Sequence, residues 1–221
     1  MSSIAERINE INAELPGSTR LVAVSKYHPA DAVAEAYAAG QRVFGESHVQ
    51  EVVTKYNELP KDIEWHFIGH LQTNKVKYIA PFISLIHSVD SFHLLDEIEK
   101  QASKCNRVIA VLLELHVAQE ETKFGFSTES LKSDILAGKL KEYPHVEFKG
   151  IMGMASHTDS VELIQQDFHQ IAAFYKEMKT IVPSFSELSM GMSGDYRIAL
   201  QEGSSLVRIG SYIFGERDYS K

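Results

Sequence analysis

Short apolar runs alternate along this chain with longer stretches in which apolar residues recur every three or four positions. Glycine, proline or polar turns bound the short runs, which is typical of strands that are buried on both faces. The periodic stretches are typical of amphipathic helices. The eight predicted strands cover residues 21–26, 42–46, 65–69, 85–89, 108–117, 146–154, 187–190 and 206–209. Helices are predicted over residues 4–15, 31–39, 49–59, 73–79, 91–103, 131–140, 161–178 and 195–201.

This alternation of strands and helices predicts parallel strands joined by helical crossovers. Eight such units in 221 residues predict a single (β/α)8 TIM barrel domain over residues 1–221, with an extra helix before the first strand. The alternative is a doubly wound open sheet, which normally carries a glycine-rich turn after its first strand. Here that turn is Lys26-Tyr27-His28-Pro29, which favours the barrel.

Composition restricts the possible classes of function. A net charge of -8 and a pI near 5.7 argue against a surface for nucleic acid or for anionic membranes. No apolar stretch is long enough to cross a bilayer, and the charges between Met1 and Leu15 argue against a signal peptide. Cys105 is the only cysteine, which rules out an internal disulfide and fits a reducing compartment. We therefore expect a cytoplasmic protein.

Lys26 ends the first predicted strand and is the first candidate for chemistry. Side chains alternate along a strand, so Lys26 shares a face with Val22 and Val24. An unpaired ammonium beside an apolar core is unfavourable, and lysine avoids the penalty by a lowered pKa or by a Schiff base with an aldehyde. The alternative is a lysine whose stem packs while its head reaches solvent.

The loop 190–195 follows the seventh predicted strand and indicates an anion site. Gly191 and Gly194 allow close approach of the backbone to a ligand, and Ser193 suits the N-cap of the next helix. Phosphate sites after strands seven and eight recur in barrels of this kind. A serine N-cap without any ligand is the alternative.

Arg208 lies inside the apolar eighth strand and shares a face with Gly210. A buried arginine keeps its charge and needs a partner, so a structural salt bridge is one explanation. Gly210 and Ser211, just beyond it, offer a backbone N–H and a hydroxyl to a phosphate.

An imine-forming lysine, a phosphate cradle and a fixed cation together match pyridoxal 5'-phosphate. Its aldehyde would join Lys26, its phosphate would meet the loops, and its ring nitrogen would face Arg208. Because arginine donates a hydrogen bond and retains its proton, the pyridine nitrogen would stay unprotonated. The ring would then be a weak electron sink, which disfavours carbanion chemistry.

Several motifs spread over nearly the whole chain resemble those of a known family. They are Val24-Ser25-Lys26, Phe44-Gly45-Glu46, residues 65–72 with Asn74-Lys75, residues 188–193, and Val207-Arg208-Ile209-Gly210. The sequence resembles the pyridoxal phosphate homeostasis proteins, which are single-barrel relatives of the alanine racemase N-terminal domain. The resemblance implies an alanine racemase-like (β/α)8 barrel that binds and buffers intracellular pyridoxal phosphate without established catalytic turnover.

The resemblance also implies roles for individual residues. It places the Schiff base on Lys26, Arg208 at the ring nitrogen, and the phosphate on Ser193, Gly210 and Ser211. Two further contacts are expected from Ser47, which stands where the family usually has asparagine, and from His70. Apo-enzymes that depend on pyridoxal phosphate are the expected partners, and the chain is expected to be a monomer or a weak dimer.

A pyridoxal phosphate-dependent racemase or lyase is the alternative function. Racemisation needs a base on each face of the substrate, and alanine racemase is similar in supplying one from a second, β-rich domain. We expect that domain to be missing, because the chain ends at Lys221 after the eighth unit. Tyr27 and Tyr196 are the candidate second bases, although packing or rim positions suit both better.

Two other sites are less favoured. A Schiff-base aldolase would need an acid–base partner beside its lysine and would have no use for Arg208. Zinc at His66 and His70 is disfavoured because these residues are separated by a strand end and a turn rather than by one helical turn.

Overall fold

Eight parallel strands close into a barrel in the computed structural model, which describes residues 3–117 and 124–215. The strands pair in chain order, and β8 pairs with β1, so the barrel prediction is confirmed and the open sheet is wrong. Lys221 lies outside the described residues. The strands are β1 Arg20–Val24, β2 Val43–Glu46, β3 Glu64–Phe67, β4 Leu85–Val89, β5 Ile109–Leu115, β6 Val146–Gly153, β7 Glu187–Met192 and β8 Leu206–Ile209.

Helices surround the barrel and connect its strands. Within the described ranges they are α1 Ile4–Glu14, α2 Ala30–Ala38, α3 Val49–Glu58, α4 Val76–Ile79, α5 Phe92–Lys104, α6 Thr128–Leu136, α7 Val161–Lys179, α8 Tyr196–Gln201 and α9 Ser211–Phe214. The additional helix α1 was expected, whereas α9 was not, because four residues carry too little periodicity to predict a helix. No helix in these ranges is long and apolar enough to cross a membrane.

Two local predictions are wrong. The helix expected over residues 131–140 ends at Leu136, because Gly138 takes φ 80° and a separate 3-10 turn follows. Ser193 does not cap α8, whose N-cap is Asp195, and the Ser193 hydroxyl instead accepts a hydrogen bond from the Gly210 N–H at 3.4 Å.

The core has an outer and an inner layer. The outer layer lies between the strands and the helices and contains large buried side chains such as Phe44, Trp65 and Phe67. The inner layer fills the barrel; its buried members are Val22, Val43, Leu85, Leu112, Met152 and Leu206. Since side chains two residues apart share a face of a strand, this layer continues upward into Lys26, Glu114 and Arg208 at the C-terminal end of the barrel.

Candidate functional site

A cleft of about 450 Å³ opens at the C-terminal end of the barrel. Three predicted residues, Lys26, Ser47 and His70, line it. The other lining residues are His48, Ile68, Gly69, Ser88, Glu114, Phe124 and Met154. The strand ends therefore bring the lysine together with polar side chains from four other strand–helix units, as expected for the functional end of a parallel barrel.

A sharp turn positions Lys26 at the edge of this cleft. Ser25 still donates its N–H to the Gly45 carbonyl of β2, at 3.1 Å, so the backbone just before Lys26 is fixed to the barrel. Tyr27 then adopts φ 66°, a left-handed conformation that is unfavourable for a residue with a side chain. Its N–H donates to Glu51 Oε1 at 2.7 Å, which stabilises the turn.

A buried ion pair supports the turn from beneath. The Lys55 ammonium donates to Glu46 Oε1 at 2.7 Å, to Glu51 Oε1 at 2.8 Å and to the Ser25 carbonyl at 2.8 Å. The Ser25 hydroxyl donates to the same Glu46 oxygen at 2.6 Å. Burial raises the pKa of Glu46, and the Lys55 ammonium opposes that rise. These contacts tie β1, β2 and α3 together directly below Lys26.

Arg208 is held inside the barrel by neutral oxygens. Its Nη1 donates to Ser189 O at 3.0 Å and to Ser189 Oγ at 2.6 Å, and its Nη2 donates to Gly153 O at 3.3 Å. Burial lowers the pKa of Arg208 to about 10, against the opposing effect of Asp195 and Glu114. In the described part of the chain no carboxylate forms an ion pair with Arg208, so the salt-bridge explanation is wrong there. The Nε–H likewise has no acceptor among those residues.

A hydrogen-bonded chain extends from Arg208 into the barrel, and no pattern in the sequence predicts it. Ser189 Oγ lies 2.9 Å from His87 Nδ1, and His87 Nε2 lies 3.0 Å from His66 Nδ1. Burial lowers the pKa of His66 to about 3 and that of His87 well below its usual value. Both imidazoles are therefore neutral. If Arg208 donates to Ser189, Ser189 to His87 and His87 to His66, each of these hydrogen bonds has one donor and one acceptor.

The neutral imidazoles predict acid sensitivity. Their folded pKa values lie below the usual value of about 6.5, so the unfolded chain binds more protons as the pH falls. Their stabilising effect is complete above about pH 6.5 and is lost toward pH 3, at about 1.4 kcal/mol per histidine and pH unit. The raised pKa values of Glu46 and Glu114 oppose this trend down to about pH 4.3. We expect the free energy of unfolding to fall most steeply below that pH, which urea titrations will measure.

His87→Gln, which cannot ionise, is the informative variant for that prediction. Its free energy of unfolding should depend on pH less steeply, by about 1.4 kcal/mol per pH unit. His169→Gln is the control, because His169 is 74% exposed and pairs with Glu202 at the surface. Equal acid slopes for wild type and His87→Gln would show that the buried imidazoles do not govern acid unfolding.

The predicted phosphate residues meet where the ends of β7 and β8 approach β1. Ser193 reaches the Gly210 N–H, and Gly210 packs so closely on β1 that an added Cβ would lie 2.9 Å from the Val24 carbonyl oxygen. Ser211 is exposed at the start of α9. Gly191 takes φ 90°, a conformation that favours glycine. A backbone N–H and two hydroxyls are thus gathered beside the strand that leads to Lys26.

His70 forms one wall of the cleft. Its Nδ1 lies 3.0 Å from Asp90 Oδ2, and its ring stacks on Phe124 with the centroids 3.8 Å apart. His66, by contrast, faces His87 inside the barrel, so the two histidines considered for zinc do not share a site. Within residues 3–117 and 124–215, no group of three potential ligands could hold a metal.

Sequence reasoning missed Glu114, which lines the cleft from β5. Its side chain is buried, and burial raises its pKa to about 7, with a further rise caused by Asp90. Glu114 is a lone charged residue inside an apolar strand, which is the same pattern that indicated Arg208.

Comparison with known proteins gives consistent matches over the whole chain. The sequence model of the alanine racemase N-terminal domain family matches residues 1–218. The pyridoxal phosphate homeostasis protein of Aquifex aeolicus is 40% identical over 225 residues, covering 99% of this chain and 97% of that protein. The protein of the same name from Escherichia coli is 37% identical over 210 residues, covering 93% and 89%.

Solved structures have the same barrel. PipY of Synechococcus elongatus, in its structure with PLP bound, superposes with a TM-score of 0.88 at 37% identity, covering 96% of this chain and all of that chain. Alanine racemase of Bartonella henselae has a TM-score of 0.75 at 16% identity, covering 99% of this chain and 60% of that one, a likeness of fold alone. The family match and the full-length relatives agree with each other and with the barrel. The chain therefore belongs to the alanine racemase N-terminal domain family and, within it, to the pyridoxal phosphate homeostasis proteins.

Proposed function

We propose that this protein binds pyridoxal 5'-phosphate as a Schiff base on Lys26 and buffers the supply of the cofactor without a reaction of its own. The observation that carries the proposal is the placement of an amine and a buried guanidinium at the same end of one barrel. Its full-length relatives are named for pyridoxal phosphate homeostasis, and PipY has been solved with PLP. The single cysteine suits the reducing cytoplasm.

The donor set fits the cofactor's three functional groups. Lys26 offers the amine for the aldehyde, and Arg208 offers its Nε–H, which has no acceptor among the described residues, to the ring nitrogen. Ser193 and Ser211 offer hydroxyls to the phosphate, and the Gly210 N–H, which donates to Ser193 Oγ at 3.4 Å, lies beside them and would turn to the phosphate. Cofactors of this type supply an electron sink for carbanions, and an arginine beside the ring nitrogen weakens that sink.

Ser47 and His70 contribute the walls that orient the ring. Ser47 lines the cleft, and an added Cβ on Gly69 would lie 2.6 Å from the Ser47 carbonyl oxygen, so the two loops are closely packed. His70 is fixed by Asp90 and Phe124, which gives the cleft a flat aromatic side. A flat side of this kind suits a planar pyridine ring.

The tyrosines considered as second bases have other roles. The Tyr196 ring is buried, and its hydroxyl donates to Glu14 of α1 at 2.6 Å, so it serves to attach that helix. The Tyr27 hydroxyl lies 3.3 Å from His48 Nε2 at the rim. Neither contact places a tyrosine hydroxyl as a base opposite Lys26, which favours binding of the cofactor over racemisation.

Reduction of the loaded protein tests this proposal. We expect the purified protein to turn yellow with added pyridoxal phosphate, and borohydride followed by peptide mapping to find the cofactor on Lys26 alone. A protein that stays colourless, or a label on Lys55, would refute it. Assays of alanine and serine racemisation with the loaded protein should give no turnover that scales with protein, and transfer to a panel of apo-enzymes should be measurable.

A further inference from the structure

Glu114 is a cleft residue to which the proposed function gives no role. Its side chain is only 5% exposed, yet it lines the same cleft as Lys26. Nothing in residues 3–117 and 124–215 donates a hydrogen bond to its carboxyl group or forms an ion pair with it. Buried carboxyl groups are normally paired, because an unpaired one loses the hydration of its charge. A buried carboxyl group that faces a cleft and has no partner among the described residues therefore points to a ligand.

The barrel fixes the direction of this side chain. Glu114 is two residues beyond Leu112, which belongs to the inner layer of the core, so Glu114 also faces the barrel axis. It is in register with Met152 of β6, whose side chain belongs to that same layer. Because β5 pairs with both β4 and β6, the backbone of Glu114 is fixed just above the apolar side chains that fill the barrel.

Two charged groups among the described residues act on Glu114: Asp90 after β4, which raises its pKa, and Arg208 of β8, which lowers it. The other titratable groups that line the same cleft are Lys26, His48 and His70. Asp90 is already bonded at both oxygens, to His70 Nδ1 at 3.0 Å and to the Ser91 hydroxyl at 3.0 Å. Arg208 keeps its proton under all working conditions. Burial raises the pKa of Glu114 to about 7, so this carboxyl group exchanges its proton near neutral pH.

We propose that Glu114 donates and takes back the proton that moves when the Lys26 amine forms and breaks its bond to the aldehyde of the cofactor. The inference rests on the proposed function and adds a residue that controls the rate of loading and release. The Lys26 nitrogen bonds to the aldehyde carbon, and the carbon–oxygen bond breaks as the oxygen leaves as water. One of the two protons on that water comes from the amine and the other from Glu114, whose carboxylate then recovers the second amine proton. Release is the reverse, with water as the reactant.

The rate of cofactor loading in the Glu114→Gln variant tests this role. Glutamine has nearly the same shape and cannot donate this proton, so we expect loading and release, followed by visible absorption in a stopped-flow instrument, to slow at least about 10-fold. The final absorption should be unchanged. Glu147→Gln is the matched control, because Glu147 is exposed on the adjacent strand β6 and pairs with Lys149.

The pH dependence separates proton transfer from packing. An acid with a pKa near 7 acts below that pH. An amine attacks an aldehyde only in its neutral form, so the wild-type loading rate, corrected for the neutral fraction of the amine, should fall as the pH rises through about 7. Glu114→Gln should lose this fall, and formate should restore part of the rate to Glu114→Ala. If Glu114→Gln does not fold, Glu114→Asp should keep the fall in rate at a reduced maximum.

The two proposals fail in different ways. A wild-type protein that does not bind pyridoxal phosphate overturns the proposed function itself. A wild type that loads, together with a Glu114→Gln variant that loads at the same rate with the same pH profile, overturns only the role of Glu114.

Discussion

Replacing Lys26 with alanine is expected to abolish the visible absorption of the covalently bound cofactor while the barrel remains folded. Without the amine no Schiff base forms, so the loss should be complete, and borohydride should fix no label. Lys26 is half-buried above the inner layer and is not among the buried apolar side chains of either layer. The free energy of unfolding should therefore change by less than about 1 kcal/mol, measured by urea denaturation of the apo-protein.

Two control variants make the loss at Lys26 specific. Lys26→Arg keeps the positive charge but cannot form a Schiff base, so it should also lack the absorption. Lys77→Ala removes an exposed lysine on α4 and should retain the absorption in full. Absorption that persists in Lys26→Ala would mean that another amine holds the cofactor, and peptide mapping would locate it.

The largest effect on stability is expected at Lys55, which is 4% exposed and pairs with fully buried Glu46. In Lys55→Met the carboxylate loses its ammonium partner, and the other Glu46 oxygen already has no hydrogen-bond partner among the described residues. Breaking a buried pair of this kind costs about 3–5 kcal/mol. The unpaired carboxyl group should take up a proton, so the loss, measured by denaturant unfolding, should be larger at pH 8 than at pH 5.

A surface pair of the same geometry provides the comparison. Lys100 and Glu97 are 2.8 Å apart, but the side chains are 56% and 22% exposed, so Lys100→Met should cost less than about 1 kcal/mol. The double variant Lys55→Met with Glu46→Leu should recover most of the stability, because it removes the fully buried carboxylate; Glu51, which also loses Lys55, is 21% exposed and keeps the Tyr27 N–H. If Lys55→Met is no more destabilising than Lys100→Met, burial does not control the strength of this pair.

Most of the barrel could be predicted from the sequence because strand and helix periodicities are local. β4 and β8 were predicted residue for residue, and most other elements were within two residues of their bounds. The exceptions have local causes that the pattern of hydrophobic positions does not show. Gly138 ended a helix in a left-handed conformation, and α9 is shorter than the repeat by which helices are recognised.

The candidate site was predicted only in part. Lys26 and Arg208 stood out because each interrupts an apolar run with a charge. Glu114 interrupts one in the same way, but its importance depends on which strands lie opposite it. The hydrogen-bond partners of Arg208 could not be predicted from the sequence either. Ser189 and Gly153 lie on two other strands and contact the guanidinium only because the barrel closes.

The sequence by itself determined the order of strands and helices, the amine at the end of the first strand and the family to which the chain belongs. Those properties follow from neighbouring residues, whose spacing and chemistry are visible in one dimension. Only the tertiary structure decided which polar side chains share the barrel axis and how strongly each is buried. Burial sets the pKa of Glu114 and the neutral state of His66 and His87, and it arises from residues far apart in the chain.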